Sequence, residues 1–240
     1  MLARRTALIA TLLLSMATSA QPQINLDAIE KSAGQQFIEN LKRTRSECRS
    51  SHLSSFHEQI LSALIAKGII KKAPDIYIFN LRQINAFAGP AGKIIITAPL
   101  LIALRSSEEY AGILLHEIGH VALGHIRQNM LMQTARSLFL SHDAVKFSGW
   151  LASLKYSRSQ ELEADGFAAK AMLQIGIPAS ALNIALLRIK GNTDEGNSDL
   201  FRTHPLTQDR LTALRNINAA PVATAIVALP PWRDIDLKCG

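Results

Sequence analysis

Apolar residues recur at helical spacing in the first part of the chain after residue 24. Between residues 53 and 65 they fall three and four positions apart, which is typical of an amphipathic helix packed on a core. Neither Gly nor Pro occurs between residues 35 and 67, and Gly68 would end the helix. The pattern therefore predicts helical structure across residues 24–67.

Short runs rich in β-branched and aromatic residues come next. Residues 75–79 follow Pro74 and predict a strand. Residues 85–88 and 93–97 flank the turn sequence Gly-Pro-Ala-Gly, which predicts a hairpin or two adjacent strands. A short helix is expected over residues 99–104.

Helical patterns fill the second half of the chain. Ser106 and Glu109 have the spacing of a capping box, and a helix is expected from Ser107 to about Arg136. A polar loop is expected over residues 191–198, and the sequence contains no internal repeat. Further helices are predicted over residues 143–154, 157–175, 179–190 and 208–216. These elements predict an α+β fold, mostly helical, in one domain with a small antiparallel sheet.

The segment 138–154 is apolar enough to raise the question of a membrane span. It carries His142, Asp143 and Lys146 and is shorter than the roughly 20 residues that a span needs. Charges at mid-span are costly, so a buried helix is expected here.

The first twenty residues have the layout of a secretory signal peptide. Arg4 and Arg5 precede a short apolar run, and small residues lead up to Ala20. Cleavage is expected after Ala20, with Ser19 and an uncleaved anchor as alternatives, which leaves residues 21–240 as one mature domain. The signal is typical of bacteria and predicts a periplasmic location.

Composition and charge exclude several classes of protein. Hydrophobic residues make up 48% and charged residues 19%, an ordinary globular balance. The net charge is +7 from 26 basic and 19 acidic residues, and it would fall to +5 without Arg4 and Arg5. Aromatic residues are only 5% and no basic cluster is interleaved with them, which argues against nucleic acid as a partner. A peripheral association with anionic membranes stays open, and the oligomeric state is not indicated.

The two cysteines, Cys48 and Cys239, lie at opposite ends of the mature chain. In an oxidising compartment they could form a disulfide that ties the C-terminal tail to the N-terminal helix. Two unpaired thiols are an equally good interpretation of the sequence alone.

Residues 116–120 form an H-E-x-x-H sequence inside the predicted helix. Positions i and i+4 share a helix face, so His116 and His120 can bind one metal ion, for which zinc is the expected identity. Glu117 lies beside them and is placed to accept a proton from an activated water molecule.

A catalytic zinc site needs a third protein ligand, and three acids downstream are candidates. Glu161 and Asp165 share a helix face, whereas Glu163 lies about 200° from Glu161 around the axis. We therefore expect Glu161 to be the ligand and Asp165 to support a ligating imidazole. His125 lies nine residues after His116, about 180° around an ideal helix, and is not expected to reach the metal.

These motifs together resemble a known family. The sequence His-Glu-Ile-Gly-His at 116–120, its continuation to His125 and the Ser157–Asp165 run are similar to the HtpX/CAAX-prenyl-endopeptidase family of zinc metallopeptidases, and most of all to its periplasmic BepA/LoiP-like and Oma-like branch. The resemblance spans roughly residues 75–210. It implies a gluzincin, a zincin-type domain whose small sheet lies beside the active-site helix.

The resemblance also implies roles for residues that spacing alone does not assign. It implies one zinc ion bound by His116, His120 and Glu161. It places His204, in a His-Pro motif, near the zinc, where it could stabilise the oxyanion or occupy the open coordination position. The same resemblance implies that Arg210 assists His204.

The function expected is therefore a zinc endopeptidase that acts on unfolded or misassembled envelope proteins. The segment Asn85, Ala86 and Phe87 would provide an edge strand that pairs with an extended substrate. A chaperone that binds such chains, with a latent metal site blocked by His204, is the competing interpretation.

Overall fold

The computed structural model describes residues 25–140, 155–192, 199–217 and 222–240, and only the backbone of residues 133–140. The predicted signal peptide and the predicted helix over residues 143–154 lie outside these ranges, and so does most of the loop expected over 191–198.

Helices predominate in the described ranges, with one small sheet, so the predicted α+β class is confirmed. In chain order the elements are α1 (Leu26–Thr44), β1 (Glu47–Arg49), α2 (Ser51–Ala66), β2 (Asp75–Phe79), β3 (Ala86–Gly89), β4 (Lys93–Thr97), α3 (Ala98–Ala103), α4 (Ser107–Ala122), α5 (His125–Leu140), α6 (Arg158–Ile175), α7 (Ser180–Gly191), α8 (Asp199–Thr203), α9 (Gln208–Ile217) and β5 (Lys238–Cys239). Short 3₁₀ turns cover Pro90–Gly92 and Trp232–Asp234.

The sheet is mixed, which corrects the prediction of an antiparallel sheet. Its strand order is β3-β4-β2-β1-β5, and β2 pairs with β4 in parallel while the other pairs are antiparallel. The predicted β3–β4 hairpin is present, and β4 folds back between β3 and β2. β4 therefore runs in the same direction as β2, and β3 lies at one edge of the sheet.

Two of the expected helical segments are interrupted. The segment 24–67 divides into α1 and α2 around the short strand β1. The helix expected to continue to Arg136 ends at Ala122, and α5 begins after Gly124, whose φ is +72°. A glycine adopts this left-handed conformation without steric cost, so Gly124 allows the chain to change direction there.

Helix α4 lies at the centre of the domain and is buried over most of its length. Ser106 caps it by accepting a hydrogen bond from the Glu109 amide at 3.2 Å, but the Glu109 side chain accepts from Arg105 rather than completing the capping box. A Cβ at Gly119 would lie 3.1 Å from Phe167 and 3.2 Å from the Ala164 carbonyl. The missing side chain therefore allows α6 to approach α4 closely at the level of the H-E-x-x-H sequence.

The C-terminal tail is joined to the sheet by a disulfide between Cys48 and Cys239, which decides the alternative that the sequence left open. β5 pairs with β1 at these two residues. Asp236 accepts hydrogen bonds from Ser50 and Ser51 at the start of α2, at 2.8 and 2.9 Å. No helix in the described ranges is both long and apolar enough to cross a membrane.

Candidate metal centre

Helix α4 places His116 and His120 one turn apart on one face. Their Nε2 atoms lie 3.1 Å apart, and both side chains are almost fully buried. Buried imidazoles that converge in this way are typical of a metal site, since a neutral imidazole nitrogen is a common ligand.

Helix α6 packs against α4 and brings Glu161 to the same point. Its Oε1 lies 3.4 Å from His120 Nε2, and its Oε2 lies 3.5 Å from His116 Nε2. Glu163 faces away from this centre, with 59% of its side chain exposed. The angular argument that separated Glu161 from Glu163 therefore agrees with their placement.

His204 approaches the centre from the loop that follows α8. Its Nδ1 lies 2.9 Å from Glu161 Oε1 and 3.3 Å from His116 Nε2. Ligand atoms of four buried residues, His116, His120, Glu161 and His204, thus lie within 4.8 Å of one another. From the sequence, His204 was expected here only by the family resemblance. It lies 84 positions after His120, and helix periodicity relates only residues of the same helix.

The spacing of these atoms fits a tetrahedral zinc ion. Ligand atoms at about 2.0–2.1 Å from zinc in a tetrahedron lie roughly 3.3 Å from one another. The close pairs lie 2.9 Å apart for His204 and Glu161 and 3.1 Å apart for His116 and His120, and all four ligand atoms lie within 4.8 Å of one another. Nitrogen and carboxylate donors of this kind are ordinary zinc ligands, so the residues present fit the ion.

Glu117 lies beside the cluster and is fully buried. Neither of its carboxylate oxygens forms a hydrogen bond with a side chain among the described residues, and Oε1 lies 3.5 Å from His204 Nε2. Burial raises the pKa of Glu117, although the nearby His204 and His116 oppose that shift. The carboxylate is therefore held next to the ligand cluster, where it can contact a molecule bound there.

Asp165 and Arg210 support the cluster from behind. Asp165 Oδ1 lies 2.9 Å from His116 Nδ1, the ring nitrogen that faces away from the centre. Arg210 Nε and Nη2 donate to the two oxygens of Asp165 at 2.7 and 2.8 Å, and Nη1 forms an ion pair with Glu161. Arg210 also donates to the carbonyl groups of His204 and Pro205. One buried guanidinium therefore contacts both acids and the loop that carries His204.

The charges at the centre offset one another. Burial alone would raise the pKa of Glu161, but His204, His120 and His116 hold it below its usual range. Burial likewise disfavours the charged form of His204, yet Glu117 and Glu161 raise its pKa above the ordinary value. Burial lowers the pKa of His120. The centre thus holds ionised Glu161 among imidazoles before any cation is bound.

Two contacts of His120 were not found from the sequence. Tyr156 stacks on its ring with centroids 3.7 Å apart, and His125 Nδ1 lies 2.9 Å from His120 Nδ1. His125 does not join the metal-ligand group, as expected, but it touches a ligand. The expectation assumed one straight helix, whereas the turn at Gly124 brings His125 back behind His120.

The strand β3 lies next to α4 and forms one edge of the sheet. The Thr97 amide donates to the Asn85 carbonyl at 3.1 Å, so alternate residues from Asn85 onward bond to β4. The main-chain groups of Ala86 and Ala88 therefore face the outer edge, where the Ala88 carbonyl accepts a hydrogen bond from the Tyr156 hydroxyl at 3.5 Å. Asn85, Ala86 and Phe87 are all buried here, so this edge is covered.

The fold and the site together define a metallopeptidase, because two histidines and a glutamate converge beside a second, buried glutamate. Residues 52–218 match the model of Peptidase family M48, and the chain belongs to that family. The family resemblance predicted from the sequence is thereby confirmed.

Several named proteases are similar to this chain. It is 25% identical over 205 residues to a "Putative beta-barrel assembly-enhancing protease" of Vibrio cholerae, covering 76% of this chain and 42% of that protein. It is 26% identical over 160 residues to "Mitochondrial metalloendopeptidase OMA1" of Arabidopsis thaliana, covering 63% of this chain and 33% of that protein. It is 27% identical over 175 residues to "Metalloprotease YcaL" of Escherichia coli, covering 64% of this chain and 67% of that protein. The chain thus spans less than half the length of the first two relatives.

Proposed function

We propose that this metallopeptidase is a zinc endopeptidase whose metal ligands are His116, His120 and Glu161. The observation that carries the proposal is the convergence of buried ligand atoms within 4.8 Å, beside the buried carboxylate of Glu117. When bound, zinc would supply a Lewis acid that lowers the pKa of a water molecule and polarises a peptide carbonyl.

Glu117 acts as the general base in this proposal. Its raised pKa suits a group that accepts a proton from water and then returns it to the leaving amine. Asp165 holds the His116 ring in place, and Arg210 holds both Asp165 and Glu161, so the ligands are oriented before the metal binds.

His204 has two roles that the geometry supports. Its Nε2 has no hydrogen-bond partner among the described residues and could donate to the oxyanion that develops during hydrolysis. Its Nδ1 occupies the corner of the cluster where a fourth ligand would lie. We propose that the conformation described here is the closed one, and that His204 leaves this corner when substrate enters.

The substrate is proposed to be an extended, unfolded segment of an envelope protein. Such a segment could pair with the outer edge of β3, where the main-chain groups of Ala86 and Ala88 face outward beside Phe87. Asn85 starts this edge, and its buried Oδ1 has no hydrogen-bond partner among the described residues. Main-chain pairing is largely blind to sequence, which suits a quality-control protease. Since the edge is covered, binding requires the same opening as movement of His204.

We also propose that residues 1–20 are removed and that the mature domain, residues 21–240, is located in the periplasm. Fractionation of cells that express the full chain, with N-terminal sequencing of the purified product, tests both parts. A product that keeps its first residues would contradict cleavage.

The central test is cleavage of unfolded casein by purified protein loaded with zinc. We expect Glu117→Gln to keep bound zinc and the native melting temperature but to abolish hydrolysis. Glu58→Gln, on the exposed face of α2, is the matched control and should be fully active. A chelator should abolish activity, and added zinc should restore it. Full activity of Glu117→Gln would overturn the assignment.

The closed position of His204 favours one competing function, a chaperone with a latent metal site. The two functions predict different results for His204→Ala. A protease that needs His204 for the oxyanion loses turnover but keeps zinc, whereas a latent site gains turnover once the corner is free. Binding of unfolded casein without cleavage, unaffected by a chelator in both proteins, would favour the chaperone.

Peripheral association with membranes is proposed from a basic groove of about 810 Å³ at the sheet edge remote from α4. Arg49 and Lys238 face each other across the β1–β5 pair, with no hydrogen bond or ion pair between them and any acid among the described residues. The other basic side chains that line it are Lys42, Arg43 and Arg45, and its acidic side chain is Glu47, which pairs with Lys42.

Sedimentation with vesicles tests this association. Binding to vesicles that contain phosphatidylglycerol should weaken in Arg49→Gln/Lys238→Gln and in high salt. The variant Lys71→Gln/Lys72→Gln, outside the groove, is the control. Equal binding to neutral vesicles would contradict an electrostatic association.

A further inference from the structure

His120 is linked to the protein surface by a chain of two side chains. Its Nδ1 lies 2.9 Å from His125 Nδ1, and His125 Nε2 lies 3.3 Å from Glu163 Oε2. His120 and His125 are almost fully buried, whereas 59% of the Glu163 side chain is exposed. The chain therefore runs from the centre of the metal cluster to solvent.

The positions of these atoms fix the direction of the hydrogen bonds once His120 binds a metal, so the inference rests on the proposed function. His120 Nε2 faces Glu161 and His116, so it must present a lone pair, and the ring proton lies on Nδ1. That proton can be donated only to an unprotonated His125 Nδ1. His125 then carries its own proton on Nε2 and donates it to the Glu163 carboxylate.

We propose that His125 and Glu163 are positioning residues that hold His120 in its metal-binding tautomer and ring orientation. Neither residue touches the metal or the reacting atoms. The turn at Gly124 makes the contact possible, because His125 would otherwise lie about 140° around the helix from His120. Tyr156 stacks on the face of the His120 ring and restricts its tilt, while His125 contacts the Nδ1 atom at the edge of the same ring.

This arrangement differs from the support of the other histidine ligand. His116 faces the carboxylate of Asp165, which is itself paired with Arg210 in the interior. His120 instead faces an imidazole, and the carboxylate comes one step later at the surface. A metal ligand commonly donates its second ring N–H to a carboxylate or carbonyl, and here an interposed histidine accepts it.

The first test observes the tautomers directly in the unaltered protein. Long-range ¹H–¹⁵N correlation spectra of the zinc-loaded protein should show His120 protonated at Nδ1 and His125 protonated at Nε2. A His125 protonated at Nδ1, in protein that has bound zinc, would overturn the proposal. Failure of the protein to bind zinc at all would instead contradict the proposed function, so the two failures are distinguishable.

The second test measures zinc affinity by competition with a chromogenic chelator. His125→Leu leaves the His120 N–H without an acceptor and should weaken zinc binding about 10- to 100-fold. His125→Asn restores an oxygen acceptor and should recover most of that loss, while Glu163→Leu should weaken binding less than His125→Leu. His52→Leu, an exposed histidine on α2, is the matched control and should bind zinc as the native protein does.

The two His125 variants also separate positioning from simple packing. Melting temperatures of the metal-free proteins report packing, since no metal is held in that state. Unchanged zinc affinity in His125→Leu, or equal losses in His125→Leu and His125→Asn, would each contradict the positioning role.

Discussion

The metal centre and the far edge of the sheet are stabilised by different means. At the centre, Arg210 and Asp165 are each only 1% exposed and pair through two hydrogen bonds. At the far edge, the two residues of β5 are exposed, and a disulfide joins them to β1. Noncovalent charge pairs act strongly where water is excluded, whereas an exposed two-residue strand buries too little surface to remain paired without a covalent bond.

Stability and metal binding are therefore coupled differently in the two regions. A change at the centre should alter folding and metal binding together. A change at the far edge should alter folding alone, because β1 and β5 lie at the opposite side of the sheet from β3, the strand that packs on α4.

The largest effect is expected from Arg210→Leu. The substitution leaves Asp165 buried without its cation, which costs about 3–5 kcal/mol in the free energy of unfolding. Zinc affinity should fall as well, because Asp165 and Glu161 lose their common partner. Urea unfolding of the metal-free protein and chelator competition measure the two effects.

Arg127→Leu is the matched control for this prediction. Arg127 pairs with Asp27 and Glu30, but its side chain is 47% exposed, so its removal should cost no more than about 1 kcal/mol. Equal losses for the two arginine variants would remove the distinction between buried and exposed pairs.

A smaller effect is expected when the disulfide is removed in Cys48→Ala/Cys239→Ser. A cross-link of this kind stabilises by about 2–4 kcal/mol, chiefly because it restricts the unfolded chain. Zinc affinity should stay unchanged while the urea midpoint falls. A parallel loss of zinc affinity would show that the far edge and the centre are coupled after all.

The smallest of the three effects is expected where α2, the helix that follows β1, contacts α4, the helix that carries His116 and His120. His57 on α2 contacts the buried Tyr110 hydroxyl of α4 at 2.5 Å, and burial lowers the pKa of His57 from 6.5 to about 4. The unfolded chain therefore binds a proton between these pH values that the folded protein does not. Stability present above pH 6.5 should fall by about 2.5 kcal/mol as the pH drops to 4.5.

Comparison of the native protein with His57→Phe isolates this contribution, since carboxylates titrate in both. The variant should lose less stability between pH 7 and pH 4.5 than the native protein, as measured by urea unfolding at each pH. Identical losses would mean that His57 does not titrate as its burial requires.

Sequence periodicity could predict the parts of the site that lie within one helix. His116, Glu117 and His120 share α4, and Glu161, Glu163 and Asp165 share α6, so helix geometry alone sorted the residues that face inward from those that do not. The contact between the two helices and the arrival of His204 depend on tertiary packing, which no local pattern encodes.

The misses have identifiable physical causes. β1 and β5 contain three and two residues, too few to show alternation, and their pairing follows from the disulfide. The helix break was missed because apolar spacing continues past Gly124, although a glycine followed by a new polar run was an available signal. The parallel pairing of β2 with β4 depends on a strand inserted later in the chain.

The disulfide determines what happens to the protein when one of its peptide bonds is cleaved. Cys48 and Cys239 are 191 positions apart, so nearly all of the domain, including every proposed ligand, lies inside one covalent ring. A single nick anywhere in that ring opens it without releasing a fragment. The two pieces would migrate together on a non-reducing gel and separate only after reduction, so self-cleavage of the enzyme would stay invisible until the bridge is reduced.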